Sequence, residues 1–281
     1  FDDCMKIVEF LADNYPVALL NSKNAWRIKG QESYSYEIAQ AFNYDVGNLV
    51  VIAPIGNAGN ITAIVSGFLN LYDLGIIDSL PQILGVQSEH ANPVYLYYLE
   101  PDRSKRKFTP VKVRPSVAQA AMIGNPVSMP RVIHLVEKYR SIAGEESFLV
   151  EEVKEQDIME CMLVANRNGH IVCTQGGEGI AGLKKAIKRG SVDRSRVAVV
   201  DSTAHILKFL VFQEKYFTDS FEPEFEIQVD DNLKNLPKYV CPSDLEKTPA
   251  SGQPLSESEF KLFVRRTAEE IAKLLGIERK E

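Results

Sequence analysis

The chain has 281 residues, 45% of them hydrophobic and 25% charged, and a formal net charge of -6. These values describe a globular chain long enough for one large domain or two smaller ones, and the acidic balance argues against a nucleic-acid surface, since the basic run Arg103-Ser104-Lys105-Arg106-Lys107 is short and sits in a polar stretch. No apolar segment reaches the roughly 18 residues that a membrane span needs. The cysteines Cys4, Cys161, Cys173 and Cys241 are too scattered for a structural zinc site or a disulfide framework, which sets a reducing cytosol as the default compartment.

The sequence starts at Phe1 without a methionine and enters an amphipathic helix at once, with Met5, Ile7, Val8 and Leu11 on one side. The expectation is a chain that begins within a longer protein. Residues 16–20 read as a short buried strand. Asn21, Ser22 and Asn24 follow, types that cap helices or contact ligands, and Arg27 offers a guanidinium that pairs with a carboxylate or phosphate through two N–H groups. Residues 33–42 predict a helix with Tyr36, Ile38, Ala39 and Phe42 facing inward.

Residues 49–54 begin a short apolar run rich in β-branched residues, the pattern of a strand covered on both faces of a parallel sheet. It runs into Gly56-Asn57-Ala58-Gly59-Asn60 and then into apolar residues at helical spacing, Ile61, Ala63, Ile64 and Phe68. A strand, a glycine-containing turn and a helix N-terminus bring unpaired N–H groups and a positive dipole end to one place, which is a seat for a phosphate or an ordinary strand-to-helix turn. A further strand over residues 82–87 completes a parallel crossover unit.

Residues 88–114 show no regular pattern. Residues 117–123 predict a helix stopped by Gly124-Asn125-Pro126, residues 130–143 a second helix, residues 148–153 a strand and residues 155–168 a helix. The stretch from Gly169 to Gly190 then reads as a repeat of the earlier arrangement: a short strand, a glycine loop at Gly176-Gly177-Glu178-Gly179, and a helix. Such a loop could close over the same ligand. The strand at residues 196–200 delivers Ser202, Thr203 and His205 to the end of the sheet where ligands bind in open α/β folds, although a lone histidine beside an apolar helix is more often a core residue. Residues 222–253 turn polar and proline-rich, and residues 255–275 predict a capped amphipathic helix.

Taken together, Pro54 to Ala63, the Asn21-Ser22-x-Asn24-x-x-Arg27 segment with Gly30-Gln31, Gly85-x-Gln87-x-Glu89, Ala121 to Ser128, and Thr203-Ala204-His205-Ile206-Leu207-Lys208 resemble, in order, the motifs of the threonine synthase family. The resemblance implies an α/β fold: a three-layer, open, mostly parallel sheet with helices on both faces, of the tryptophan-synthase-β-like type, incomplete in this chain. It implies pyridoxal 5'-phosphate as cofactor, its phosphate held by Gly56, Asn57, Ala58, Gly59 and Asn60, and its pyridine nitrogen by Thr203. Asn21, Ser22 and Arg27 would hold the phosphate of O-phosphohomoserine. The family reaction joins the substrate amine to the cofactor, removes protons at the α and β carbons, expels phosphate from the γ carbon and adds water at the β carbon to give threonine.

The chain departs from the family in two places. Thr174-Gln175-Gly176-Gly177-Glu178-Gly179 stands where a Glu-Pro-x-Ser-Ala-like segment is usual, so no ligand role carries over there. The Schiff-base lysine, which belongs in a Ser-Phe-Lys-Asp-like context ahead of the Asn-Ser segment, has no counterpart. Lys23, Lys29 and Lys208 read as surface lysines. The expectation is therefore a carboxy-terminal portion of a cytoplasmic threonine synthase that is inactive alone. It has residues 1–44 as the end of a small domain and substrate-side segment, 45–222 as the cofactor domain and 223–281 as a wrapping segment and helix. It needs no metal, binds a small-molecule substrate, and is compatible with a homo-oligomer. The alternatives are another fold type II enzyme, either a β-replacing synthase or a hydroxy-amino-acid dehydratase, and a non-catalytic phosphate-binding module.

Overall fold

A computed structural model describes residues 2–250 and 253–279. The chain divides into two compact units, one extending through Lys234 and one from Asn235 onward. In the first unit the elements run α1 (Asp2–Asn14), α2 (Ala25–Gln31), α3 (Ser33–Ala41), β1 (Leu49–Pro54), α4 (Gly59–Asp73), β2 (Gln82–Ser88), α5 (Pro93–Leu99), α6 (Met129–Ala143), β3 (Phe148–Val153), α7 (Glu155–Arg167), α8 (Thr174–Arg189), β4 (Val197–Val200) and α9 (Leu210–Thr218). The second unit holds α10 (Glu257–Leu275).

The strands form one four-stranded parallel sheet in the order β3-β2-β1-β4. Every residue of β1 and β2 is buried, because alternate side chains feed two separate cores. Leu49, Val51 and Ala53 point to the side where Ile61, Ile64 and Phe68 of α4 meet Val132, Val136 and Tyr139 of α6. Val50 and Ile52 point to the other, onto Ile158 and Met162 of α7, Ala181 of α8 and Phe212 of α9. This is the three-layer α/β arrangement with helices on both faces. The cysteines are unpaired.

Several segments differ from the pattern read in the sequence. Residues 16–20 and 170–173 are irregular and join no ladder among the described residues; Val17 and Leu20 are exposed, so their apolar character does not reflect burial in a sheet. Of residues 117–123 only Gln119–Ala121 turns, as a single 3-10 turn. Within 88–114 lies α5, whose first N–H groups, at Val94 and Tyr95, donate to the buried Gln87 side chain at 2.9 and 3.1 Å.

The largest correction concerns Gly176, Gly177 and Gly179. They are not a loop but the first turns of α8. A Cβ on Gly177 would lie 2.5 Å from the carbonyl oxygen of Ile158, and one on Gly182 would lie 2.3 Å from Val86. The glycines let α8 lie against α7 and the sheet at a distance no side chain permits, and that packing outweighs their weak helix propensity.

The short helices ahead of β1 are fastened by a buried charge. Asn24 caps α2, its side-chain oxygen accepting from the N–H groups of Trp26 and Arg27 at 2.9 and 3.2 Å. Glu32, only 3% exposed, then accepts from Lys29 at 2.6 Å, Tyr36 at 2.8 Å, Ser66 at 2.7 Å and Asn70 at 2.8 Å, tying α2 and α3 to α4. Burial raises the pKa of Glu32, but the bonds from Lys29, Ser66 and Tyr36 prevail and hold it below its ordinary 4.5. A carboxylate with a depressed pKa adds stability that is complete above 4.5 and fades as the pH falls through the lowered value. Glu32→Ala, which strands those donors, is expected to cost about 3 kcal/mol at neutral pH. Urea denaturation at pH 7 and pH 4 should show the gap between wild type and variant narrowing at the lower pH.

Candidate functional site

At the carboxyl ends of β1 and β4 the chain opens a cleft of about 610 Å³. Its lining brings together the residues expected to hold the cofactor and the substrate phosphate: Asn21, Ser22 and Arg27 from the segment around α2; Gly56, Asn57, Ala58, Gly59 and Asn60 after β1; and Thr203 after β4.

The loop after β1 is built to present donors. Ala58, the N-cap of α4, sits in the left-handed region at φ 62°, and its side chain caps nothing. The N–H groups of Gly56 to Asn60 donate to no acceptor of the chain among the described residues. No acidic residue occupies the first turn of α4, so the positive end of the helix is open to an anion. Asn57 adds a buried side-chain oxygen that accepts from nothing in the chain. The carbonyl of Asn57 accepts from Ser128 N–H at 3.2 Å, which fixes the loop from behind.

Gly59 lets the substrate-side segment approach the same helix end. A Cβ there would stand 3.2 Å from Ser22 Cβ and 3.1 Å from Ile28 Cδ1. Ser22 is held by its carbonyl oxygen, which accepts from Ser128 Oγ and from Arg131 Nη1, each at 3.3 Å. Asn21 donates to Met5 Sδ at 3.3 Å. Arg27 makes no ion pair among the described residues, leaving its guanidinium free at the rim of the cleft.

The far wall is set by Asp201, which sequence reading had passed over in favour of its neighbours. Its carboxylate, 7% exposed, accepts from Asn60 Nδ2 at 2.6 Å and from Thr203 N–H at 3.0 Å. Burial pushes the Asp201 carboxyl above its ordinary pKa, against those two bonds. Thr203 adopts φ 32°, a conformation that costs a β-branched residue about 1–3 kcal/mol. Its Oγ1 lies 3.5 Å from Cys173 Sγ, and Cys173 N–H donates to Ala204 O at 3.2 Å, so the strained turn is braced by the start of α8.

Ser202 and His205 do not line the cleft; His205 instead accepts from Leu207 N–H at 3.2 Å, capping the turn that follows. Tyr34 and Gln175 do line it, and neither stands in a motif that marks a ligand. In the amide orientation that satisfies both partners, the Gln175 oxygen accepts from the N–H groups of Gln119 and Ala120 at 3.2 and 3.0 Å. The only available signal for Gln175 was its place one residue ahead of the glycines of α8.

Known proteins share this sequence and fold. The family model described as pyridoxal-phosphate dependent enzyme matches residues 1–203. Threonine synthase 2, chloroplastic, of Arabidopsis thaliana is 36% identical over 241 residues, covering 86% of this chain and 42% of that protein. Threonine synthase of Methanocaldococcus jannaschii is 37% identical over 209 residues, covering 74% and 49%. The chain thus spans less than half the length of these relatives. Threonine synthase of Escherichia coli superposes with a TM-score of 0.57 at 20% identity, covering 85% of this chain and 50% of that one. The pyridoxal-phosphate-bound threonine synthase of Brucella melitensis gives 0.52 at 16% identity, covering 74% and 48%. At such identities the structural likeness speaks for the fold, while the family match takes in most of the sequence: the chain belongs to the pyridoxal-phosphate-dependent enzyme family.

Proposed function

We propose that the cleft is the phosphate-holding and ring-facing half of the pyridoxal 5'-phosphate site of a threonine synthase that converts O-phospho-L-homoserine and water to L-threonine and phosphate. The observation that carries this reading is the convergence of a free amide cradle, a hydroxyl and an unpaired arginine on one cleft. The donor set fits the cofactor. A phosphate needs several N–H donors and a positive field, which the loop from Gly56 to Asn60 and the end of α4 offer. A pyridine nitrogen needs one neutral partner, and Thr203 Oγ1 is a hydroxyl.

When bound, the cofactor supplies an electron sink for proton removal next to the substrate amine. The chain's own residues do the rest of the holding. Asn60 keeps Asp201 in place, and Asp201 in turn orients the Thr203 backbone that carries the hydroxyl. Arg27 and Ser22, with Asn21, meet the phosphate of the substrate; the guanidinium keeps its charge and its two-pronged geometry suits phosphate oxygens. An unpaired arginine here favours a phosphorylated substrate over the unphosphorylated amino acids that a dehydratase or a β-replacing synthase takes. No lysine lines the cleft among the described residues, Lys23 pairs with Glu9, and Lys29 is engaged by Glu32. Among the described residues no helix is long and apolar enough to cross a membrane.

Three experiments test this reading. Titrating the chain with pyridoxal 5'-phosphate should quench the emission of Trp26, which sits beside Arg27. Pyridoxal without phosphate should bind about tenfold more weakly or worse, and Asn60→Asp, which sets a second carboxylate against Asp201 and the bound anion, should weaken binding by a similar factor. In an assembled active enzyme containing this chain, Arg27→Ala should lower kcat/KM for O-phosphohomoserine by about 100-fold, read in a phosphate-release assay. An unchanged value would remove the reason for naming that substrate. The 281 residues alone, given cofactor and O-phosphohomoserine, should release no threonine measurable by amino-acid analysis.

A further inference from the structure

On the far side of β2 from α4, behind the cleft, lies an acidic hollow of about 480 Å³ where Glu89, Glu226 and Asp230 face one another across the end of the sheet. One ligand atom from each of Glu89, His90 and Glu226 falls within 4.8 Å of the others. Acidic residues near each other are common; the histidine is what distinguishes this place.

The His90 side chain is fully buried, and its two nitrogens are not equivalent. Nδ1 lies 2.6 Å from the carbonyl oxygen of Pro115. A carbonyl can only accept, so Nδ1 carries a proton, and in the neutral ring the lone pair is on Nε2. That Nε2 is buried without any partner in the chain, 3.9 Å from Glu226 Oε1. A buried acceptor left unmet costs about 1–3 kcal/mol. An imidazole whose other nitrogen donates to a backbone carbonyl is the arrangement that orients histidine toward a metal ion.

We propose that Glu89, His90 Nε2 and Glu226 form a binding site for a divalent transition-metal ion of the Zn²⁺ or Mn²⁺ class. Ligands about 2.1 Å from such an ion stand roughly 3–4 Å apart, so the site closes by side-chain rotation of the half-exposed Glu226. Two carboxylates and a neutral imidazole suit this class better than Mg²⁺, which prefers an all-oxygen shell.

The surrounding charges are mixed. Arg114 donates to Glu226 Oε1 at 2.6 Å and competes for it, leaving Oε2 for the ion or yielding the carboxylate entirely. Lys154 also lines the hollow, opposed by Glu160 and Asp230. Glu155 is not a ligand: its carboxylate is already taken by Ser88, by Ser116 at 2.8 Å and by Val117 N–H at 2.6 Å. The ion would clamp the turn after β2, which carries Glu89 and His90, to the strap at residues 223–230, whose Phe225, Ile227 and Val229 pack on the core that α7 and α9 share.

The test uses the metal-stripped chain and Mn²⁺, an ion that thiols bind weakly, titrated by electron paramagnetic resonance with Zn²⁺ and Mg²⁺ as competitors. The expected result is one Mn²⁺ per chain, coupled to one imidazole nitrogen, displaced by Zn²⁺ at far lower concentration than by Mg²⁺. Glu89→Gln and Glu226→Gln, which alter side chains that are not fully buried, should each weaken binding by about tenfold or more while the circular dichroism spectrum stays unchanged. Bound metal should also slow proteolytic cleavage within residues 223–230. Absence of stoichiometric Mn²⁺ binding, a missing nitrogen coupling, Mg²⁺ competing as well as Zn²⁺, or both glutamine variants binding like wild type would each overturn the site. None of these outcomes depends on the cleft or its cofactor.

Discussion

A hydrogen bond from Asn60 to Asp201 at 2.6 Å joins positions 141 residues apart and ties two walls of the cleft together. It ties the first turn of α4 to the end of β4, two places that the sheet already brings alongside because β1 and β4 pair in parallel register. The amide loop is also held from behind by Ser128 N–H on the Asn57 carbonyl, but Asn60 to Asp201 is the side-chain bond that joins it to the Thr203 turn. Asp201 then passes the constraint on through its bond to Thr203 N–H, and Cys173 braces the same turn from α8. The strain at Thr203, held at φ 32°, persists because these contacts over-determine it.

The same sheet explains why an anion seat can exist at this point. β1 is covered on both faces, so the chain leaving it has no freedom to spread. It must turn at once into α4, with its uncapped N–H groups facing the crevice. Glycine is needed where neighbouring backbone comes in behind: Gly59 admits Ser22, and the glycines of α8 admit α7 and β2. One residue type thus serves both to expose amides to a ligand and to let helices pack closely. Its pattern in the sequence does not distinguish the two uses.

The buried glutamates of this unit behave differently according to what meets them. Glu32 is encircled by donors and stays charged, fastening the helices that carry Arg27. Glu178, wholly buried in α8, is pushed well above the ordinary 4.5 first by burial and then by the charge of Glu155, against a lowering contact with the Ser88 backbone.

The parallel α/β class is legible in the amino-acid pattern. The short apolar runs at 49–54, 82–87 and 148–153, and the helical spacing after the first and the last, are local patterns, and the residues gathered at the cleft could be named from their motifs. The pattern did not distinguish an apolar run that is buried from one that is not, as at 16–20, nor a glycine loop from a glycine-packed helix, as at 176–179. Both depend on what lies opposite in space. Asp201, Tyr34 and Gln175 entered the cleft, and His90 turned a lone pair toward Glu226, only through tertiary contacts. A side chain's role there is set by neighbours far away in the chain, which local periodicity cannot encode.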